Sequence, residues 1–161
     1  MMTISFTVEG NPKGQPRARA FYKPGLGVRM YDAGTAEGWK GLIAVAARQH
    51  MPVKPLEGPL EVSITFFFER PKSHYRTGSH AGELRPDAPY WHTSKPDRDN
   101  AEKAVLDCLT TIGMWKDDCQ VCDGLIRKRW WKRGCMEIRI TELNQIVPYG
   151  GNVAINQEVG K

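Results

Sequence analysis

The stretch LEVSITFFFE at residues 60–69 constrains the fold more than any other part of the sequence. Leu60, Val62, Ile64, Phe66 and Phe68 recur at every second position. Successive side chains of a β-strand point to opposite faces of the sheet, so this spacing predicts a strand with one buried apolar face. The fold must therefore contain a sheet and elements that cover that face.

Five further segments have the periodicity of regular structure. Residues 3–8 alternate like a strand, and residues 35–50 and 100–112 place apolar side chains at helical spacing. Residues 120–131 and 135–142 have the composition of two strands, and the short KRG between them predicts a β-hairpin. This order of elements predicts an α+β fold, in which two main helices pack against one mixed β-sheet that ends in a C-terminal hairpin.

The segments between these elements are rich in Gly, Pro and polar residues. The early stretch EGNPKGQPRARAFYKPGLG, residues 9–27, predicts a long loop, and residues 70–94 predict a second one that contains most of the histidines. We expect residues 1–143 to form the only domain. Residues 144–161 lack periodicity, which is typical of a C-terminal tail that is disordered or docks on a partner.

The charge and the cysteine content narrow the functional class. The chain has 23 Lys and Arg residues against 18 Asp and Glu, a net charge of +5, which favours a polyanionic partner. No apolar run approaches the roughly 18 residues that span a bilayer, and the N-terminus does not resemble a secretion signal. We expect a cytoplasmic protein, in a bacterial cell or in the host of a phage, with no membrane partner and no nucleotide cofactor.

Only Cys119 and Cys122 have CxxC spacing, so we expect reduced cysteines rather than a zinc site.

Acidic residues collect at both ends of the second predicted helix. Asp97 and Asp99 precede it, and Asp117 and Asp118 follow it. Asp99 stands three residues before Glu102, the spacing of a capping box with Asp99 at the N-cap, and the later pair suits a solvated turn. Carboxylates that converge repel each other unless a cation lies among them, and their oxygens suit Mg²⁺ or Mn²⁺. The spacing alone does not decide between a metal site and these structural roles.

Lys103 also has two interpretations. It is four residues after Asp99, so the two side chains share one helix face, but it is also four residues before Asp107 and can pair with that carboxylate instead. Held beside a carboxylate cluster, its ammonium group would orient water or neutralise a phosphate oxygen.

The segment KPDRDNAEKAVLDCLTTIGMWKDDCQV, residues 95–121, resembles the signature of the RusA-type Holliday junction resolvases, KPDxDNxxKxxxDxL followed by xDDxQV. VEGNPKGQPRAR resembles the first loop of that family, and RPKSHY is similar to its longer phage and prophage members. The resemblance extends over residues 3–142. It implies a homodimeric, Mg²⁺-dependent endonuclease, with Mn²⁺ as a substitute, that resolves four-way DNA junctions by paired symmetric nicks in recombination and repair.

The resemblance also implies roles for single residues. Asp97, Asp99 and Asp118 match the metal-binding catalytic aspartates, Lys103 matches the essential catalytic lysine, and Asp117 stays open as an alternative ligand. The family often has a lysine at the position of Lys128. The candidate DNA-binding residues are Lys13, Arg17, Arg19, Arg98, Lys128 and Arg129.

The run RKRWWKR, residues 127–133, mixes cations with two aromatic residues. Trp130 and Trp131 could stack on an unpaired base, but the alternation of a strand favours one of them facing the core. His74, His80 and His92 are best interpreted as ordinary loop residues or as contacts to the DNA backbone; metal binding is an alternative, but no spacing supports it.

Two other functions compete with junction resolution. One is a broader nuclease that acts on flaps, forks and other branched DNA. The other is an architectural protein that binds junctions without cutting them. The acidic set argues against the second, because a pure binder gains nothing from carboxylates that face phosphates.

Overall fold

Five strands form one mixed sheet in the computed structural model, which describes residues 2–15, 19–24, 27–31 and 36–144. For residues 19–23 and 27–31 it describes the backbone alone. Within these described ranges the strands are β1 (Thr3–Glu9), β2 (Arg19–Lys23), β3 (Gly27–Tyr31), β4 (Leu60–Glu69), β5 (Val121–Asp123), β6 (Ile126–Trp131) and β7 (Cys135–Glu142).

Strand β4 lies at the centre of the five-stranded sheet. It pairs antiparallel with β7, which in turn pairs with β1, and its other edge pairs parallel with β5 and β6. The predicted alternation is confirmed, because its five apolar positions from Leu60 to Phe68 are all at most 3% exposed. Helices α1 (Glu37–Arg48) and α2 (Arg98–Thr111) complete the predicted α+β architecture and share one apolar core with this face of the sheet.

The second helix presents the predicted apolar stripe to the core and ends where Gly113 adopts a φ of 81°. Its start differs from the prediction. The N-cap is Asp97, whose carbonyl accepts the backbone N–H of Ala101 at 3.0 Å, and Asp99 lies within the first turn. The predicted capping box with Asp99 at the N-cap is therefore wrong, because the helix begins directly after the turn at Pro96. The stripe consists of Ala101, Ala104, Val105, Cys108 and Leu109.

The predicted C-terminal hairpin is also wrong. Strands β6 and β7 lie on opposite sides of β4, so the chain passes over the end of β4 between Trp131 and Cys135. A short connection such as KRG has the same composition whether the two strands that it joins pair with each other or lie on opposite sides of a third strand. The long apolar strand β4 decides the outcome, because its central position gives both of its edges a partner.

The strand predicted at residues 120–131 is divided at Gly124. This residue has a φ of 149°, and a Cβ atom there would stand 1.9 Å from the carbonyl oxygen of Val62. Only glycine fits this close approach, which separates β5 from β6 while both remain paired with β4.

The long loop predicted at residues 9–27 contains regular structure that its Gly and Pro content hid. Strands β2 and β3 pair antiparallel as a separate two-stranded sheet. The predicted tail, residues 144–161, lies outside the described residues beyond Asn144. Over the part of the chain that is described, no helix combines the length and the apolar character needed to cross a membrane.

Candidate active site

The first acidic pair stands at the exposed start of α2. Asp97 has the extended backbone of an N-cap residue, with a ψ of 153°, yet its side chain makes no capping hydrogen bond to the helix. Asp99 follows in the first helical turn, and both residues are exposed. The first turn of a helix favours negative charge, because its free N–H groups carry partial positive charge. The position therefore suits acidic side chains, and no capping hydrogen bond ties the Asp97 oxygens to the helix backbone.

Lys128 anchors the turn that leads into Asp97. From strand β6 its ammonium group donates hydrogen bonds to the carbonyl oxygens of Ser94, at 2.7 Å, and Pro96, at 2.5 Å. Burial lowers the pKa of Lys128, and the nearby Asp97 carboxylate opposes that lowering. The lysine thus connects the sheet to the acidic turn through backbone carbonyls and through its charge.

The early loop packs against the same turn. A Cβ atom on Gly14 would stand 2.6 Å from Cβ of Pro96, so only glycine allows this approach. The backbone N–H of Gln15 donates to the carbonyl of Asn100 at 2.8 Å. The exposed Lys13, one of the predicted DNA contacts, is consequently next to the start of α2.

The second acidic pair divides into two different environments. Asp117 is the N-cap of the 3₁₀ turn Asp118–Gln120, and its carboxylate accepts the backbone N–H of Cys119 at 2.8 Å. That hydrogen bond lowers the pKa of Asp117. The Gln120 side chain accepts the N–H of Asp117 in return, at 3.1 Å. Asp118 is exposed, and the capping box is formed by Asp117 and Gln120 without its carboxylate. The geometry thus gives Asp117 a structural role and leaves Asp118 as the better ligand candidate of the pair.

The two ends of the predicted acidic segment approach each other. Arg98 and Glu102, at the start of α2, line one shallow pocket together with residues 121–126, which follow directly after the 3₁₀ turn. Helix α2 also contacts that turn. Over the described ranges, however, His, Cys, Asp and Glu side chains do not form a group of three or more placed to hold one metal ion.

The donors nevertheless suit Mg²⁺ in their chemistry. Mg²⁺ keeps several waters and is usually bound through one or two carboxylates together with substrate phosphates, rather than by a complete protein cage. Exposed carboxylates in the first turn of α2 and at Asp118 meet this requirement without a preformed cluster of three.

Lys103 pairs with Asp107 on the outer face of α2. The distance between its ammonium nitrogen and the carboxylate is 3.0 Å, and 60% of the lysine side chain is exposed. The Asp107 side chain is 29% exposed, and a largely solvated pair four residues apart on a helix contributes only about 0.3–0.5 kcal/mol, so the pair can open at little cost.

The remaining predicted DNA contacts have different surroundings. Arg98 is exposed beside the acids, whereas the Arg129 guanidinium lies over the rings of Tyr90 and Trp91. Arg17 and the side chain of Arg19 lie outside the described residues.

The two adjacent tryptophans follow the alternation that the sequence predicted. Trp130 packs against the core between His74 and His92, and Trp131 is 51% exposed and contacts Phe67. His74 and His92 are therefore packing residues of the 70–94 loop. His92 stacks on Phe68 with a centroid distance of 3.7 Å, and its burial lowers its pKa to about 4.

Sequence reasoning missed the anchoring role of Lys128 and the ring pair Tyr90–Trp91. The anchor uses backbone carbonyls, which no side-chain pattern reveals. The rings had a signal that could have been used, since two adjacent aromatic residues in a mostly polar loop are unusual.

A comparison with known protein families identifies the chain. The family model described as "Endodeoxyribonuclease RusA" matches residues 9–141. The protein belongs to the RusA family. This confirms the resemblance that the 95–121 segment predicted.

Individual RusA relatives match over very different lengths. The uncharacterised protein YqaN of Bacillus subtilis is 33% identical over 149 residues, which cover 89% of this chain and 99% of YqaN. The crossover junction endodeoxyribonuclease RusA of Escherichia coli K12 is 44% identical over 48 residues, or 29% of this chain. RusA of Enterobacteria phage 82 matches to the same extent. The match spans only 40% of the length of those two named enzymes.

Proposed function

We propose that this RusA-family protein is a Mg²⁺-dependent endonuclease that resolves four-way DNA junctions by paired symmetric nicks in DNA recombination and repair. The observation that carries the proposal is the family match over residues 9–141, which includes both acidic pairs. The relatives named crossover junction endodeoxyribonucleases share 44% identity over their matched segments. A homodimer fits this activity, because two identical sites related by a two-fold axis can cut two symmetry-related strands.

In this proposal Asp97, Asp99 and Asp118 would hold the metal ion. When bound, Mg²⁺ supplies positive charge to the phosphate and makes a bound water more acidic. The chain itself contributes the position of the carboxylates. Helix α2 orients Asp99, and the hydrogen bonds from Lys128 hold the turn that carries Asp97.

Lys103 is the proposed catalytic cation. Its exposed ammonium group can leave Asp107 for a phosphate oxygen, since an exposed ion pair is weak compared with a charge-assisted bond to phosphate. Lys13 and Arg98 are exposed around the start of α2 and are proposed to bind flanking phosphates. Such contacts position DNA by its backbone, which suits recognition of a branched shape rather than a sequence.

The direct test is cleavage of a synthetic four-way junction that is labelled on each strand in turn. With Mg²⁺ we expect nicks at symmetry-related positions in two opposing strands, and no nicks in EDTA. A duplex and a fork of the same sequence, included as parallel substrates, should be cut much more slowly. Equal rates on all three substrates would favour the broader branched-DNA nuclease.

The residue assignment is tested by Asp99→Asn, which should remove cleavage while the junction remains bound. Asp87→Asn is a matched control, because Asp87 is an exposed aspartate in the 70–94 loop that pairs with Arg85 at 3.0 Å. Tight binding without cutting by the wild type, with any divalent metal, would instead support the architectural role.

A further inference from the structure

Two exposed aromatic rings and a half-buried arginine form a cluster beside β6. Tyr90 and Trp91 are 47% and 53% exposed, although both are large and mostly apolar. Their ring centroids are 4.9 Å apart and their planes meet at 80°. The Arg129 guanidinium carbon lies 5.2 Å from the Tyr90 centroid and 5.4 Å from the Trp91 centroid. We refer to these three residues as the aromatic platform.

Backbone hydrogen bonds hold the platform in place. The N–H of Trp130 donates to the carbonyl of Tyr90 at 2.9 Å, and the N–H of His92 donates to the carbonyl of Lys128 at 3.2 Å. Residues 90–92 therefore run antiparallel along β6, with Trp91 opposite Arg129. His92 is buried against Phe68, so the rings next to it are exposed on an anchored segment rather than on a frayed one.

The platform is close to the acids along the chain. Trp91 precedes Asp97 by six residues. Six extended residues span at most about 21 Å, roughly the width of a DNA duplex, and the actual separation is no longer than this. Lys128, which anchors the acidic turn, is the neighbour of Arg129 in β6. Successive side chains of a strand point to opposite faces of the sheet, so Lys128 lies over Phe68 on the helix side and Arg129 lies on the other side. One branched DNA can contact both places by reaching around the edge that residues 90–92 form beside β6.

The charge of this edge favours DNA over protein as its partner. Residues 124–136 contain five Lys and Arg residues and not one Asp or Glu. Such an edge attracts a polyanion and repels the same edge of a second copy of the chain. Trp, Tyr and Arg are common at protein interfaces too, so the charge is what separates the two kinds of partner.

We propose that the aromatic platform binds one unstacked nucleobase of branched or single-stranded DNA, which stacks on the exposed face of Trp91 while Arg129 faces the phosphates. Every base has a π-face, so this contact needs no particular sequence, whereas the bases of an intact duplex are already stacked. The platform would thereby favour branched DNA over duplex. This inference rests on the proposed function, because selecting branched DNA matters only if the nearby acids cut it.

Binding measured without a divalent metal tests the platform apart from cleavage. The probes are a fluorescein-labelled oligothymidylate and an abasic strand of the same length. Base stacking on an aromatic side chain is worth enough that Trp91→Ala should weaken oligothymidylate binding about tenfold. The abasic strand should bind the wild type more weakly and be unaffected by Trp91→Ala, whereas Trp91→Phe should restore most of the affinity for oligothymidylate.

Trp131→Ala is the matched control. Trp131 is 51% exposed and contacts Phe67, and among the described residues no cation lies over its ring. Its substitution should change oligothymidylate binding much less than Trp91→Ala does. Equal losses in the two variants, or no preference of the wild type for oligothymidylate over the abasic strand, would overturn the inference.

Two further outcomes identify which proposal fails. If the wild type cuts junctions but Trp91→Ala binds oligothymidylate like the wild type, the platform assignment alone is wrong. If the predicted binding pattern appears but the wild type cuts no DNA with Mg²⁺, the proposed function is wrong. A lower molecular mass of Trp91→Ala in sedimentation would mean that a second copy occupies the platform, and would overturn the inference.

Discussion

Asp97 and Asp117 occupy the same kind of position but differ in how their side chains are used. Each is an N-cap residue with extended backbone, one before α2 and the other before the 3₁₀ turn Asp118–Gln120. The Asp117 carboxylate accepts a backbone N–H of its own turn, whereas Asp97 makes no capping hydrogen bond. A carboxylate committed to a cap stabilises the fold. A carboxylate that makes no capping hydrogen bond, such as that of Asp97, keeps its oxygens available for another partner.

Asp97→Asn should give the largest effect that this comparison predicts. Junction cleavage should fall about a thousandfold, as expected when a group that acts on the transition state is lost. The melting temperature should stay unchanged, because no capping bond is removed. Junction affinity should be kept or increased, since a negative charge near phosphate disappears. Single-turnover cleavage, thermal unfolding and gel-shift titration measure the three quantities, and loss of stability together with intact cleavage would reverse the assignment.

Lys128→Met tests whether the Asp97 turn needs its anchor. Without the hydrogen bonds to Ser94 and Pro96, the carboxylate shifts, and a displacement of about 1 Å can cost roughly a hundredfold in rate. The salt dependence of junction binding should stay the same if Lys128 acts only as an anchor. If Lys128 instead contacts a phosphate, its loss should reduce the slope of the logarithm of the binding constant against the logarithm of the salt concentration by about one.

The exposed Lys132 provides the control for this variant. Lys132→Met should leave the cleavage rate near that of the wild type. A reduced salt slope in Lys128→Met with an undiminished rate would make Lys128 a DNA contact rather than an anchor.

Acid should lower the stability of the fold by protonating His92, which packs beside Lys128, the anchor of the Asp97 turn. The pKa of His92 is about 4 in the folded protein, against 6.5 for an unperturbed histidine. Between these values the unfolded chain binds more protons, so the stability contributed by neutral His92 is present above pH 6.5 and is lost as the pH falls towards 4. Solvent screening keeps the loss below the roughly 3.4 kcal/mol to which the full pKa difference corresponds. Urea unfolding at several pH values should show a smaller acid loss in His92→Phe than in the wild type, and equal losses would contradict the prediction.

Asp117→Ala should have the smallest effect and the opposite pattern to Asp97→Asn. Loss of the cap should destabilise the protein by about 1 kcal/mol, whereas junction cleavage should continue at close to the wild-type rate. Chemical denaturation and the cleavage assay check the two parts. A fully inactive but stable variant would show that Asp117, not Asp118, is the ligand.

The sequence predicted those parts of the fold that depend on regular apolar spacing. The strand with Leu60 to Phe68 buried and the stripe along α2 followed from periodicity alone, because burial of one face imposes a repeat. The crossing of β4 between β6 and β7 could not be read, since strand order is set by pairing between distant segments. The break at Gly124 depends on the close carbonyl of Val62, which is also a distant contact.

The candidate site was predictable in composition but not in its detailed arrangement. The spacing of KPDRDN and KDD led to the family that the comparison then confirmed. This spacing could not distinguish the roles of Asp117 and Asp118, because their difference depends on the hydrogen bond that Asp117 accepts from the backbone N–H of Cys119. It placed the N-cap at Asp99 rather than Asp97, because both aspartates precede the same apolar stripe and only the backbone fixes where the helix starts.

We propose that Asp97, Asp99 and Asp118 form a metal site, whereas Asp117 stabilises the fold. Titration of Mn²⁺ into the protein, followed by the loss of the free-ion electron paramagnetic resonance signal, tests it most directly. Asp117→Asn should bind Mn²⁺ like the wild type, and Asp118→Asn should bind it much more weakly. Undiminished binding by Asp118→Asn, or abolished binding by Asp117→Asn in a folded protein, would contradict the account.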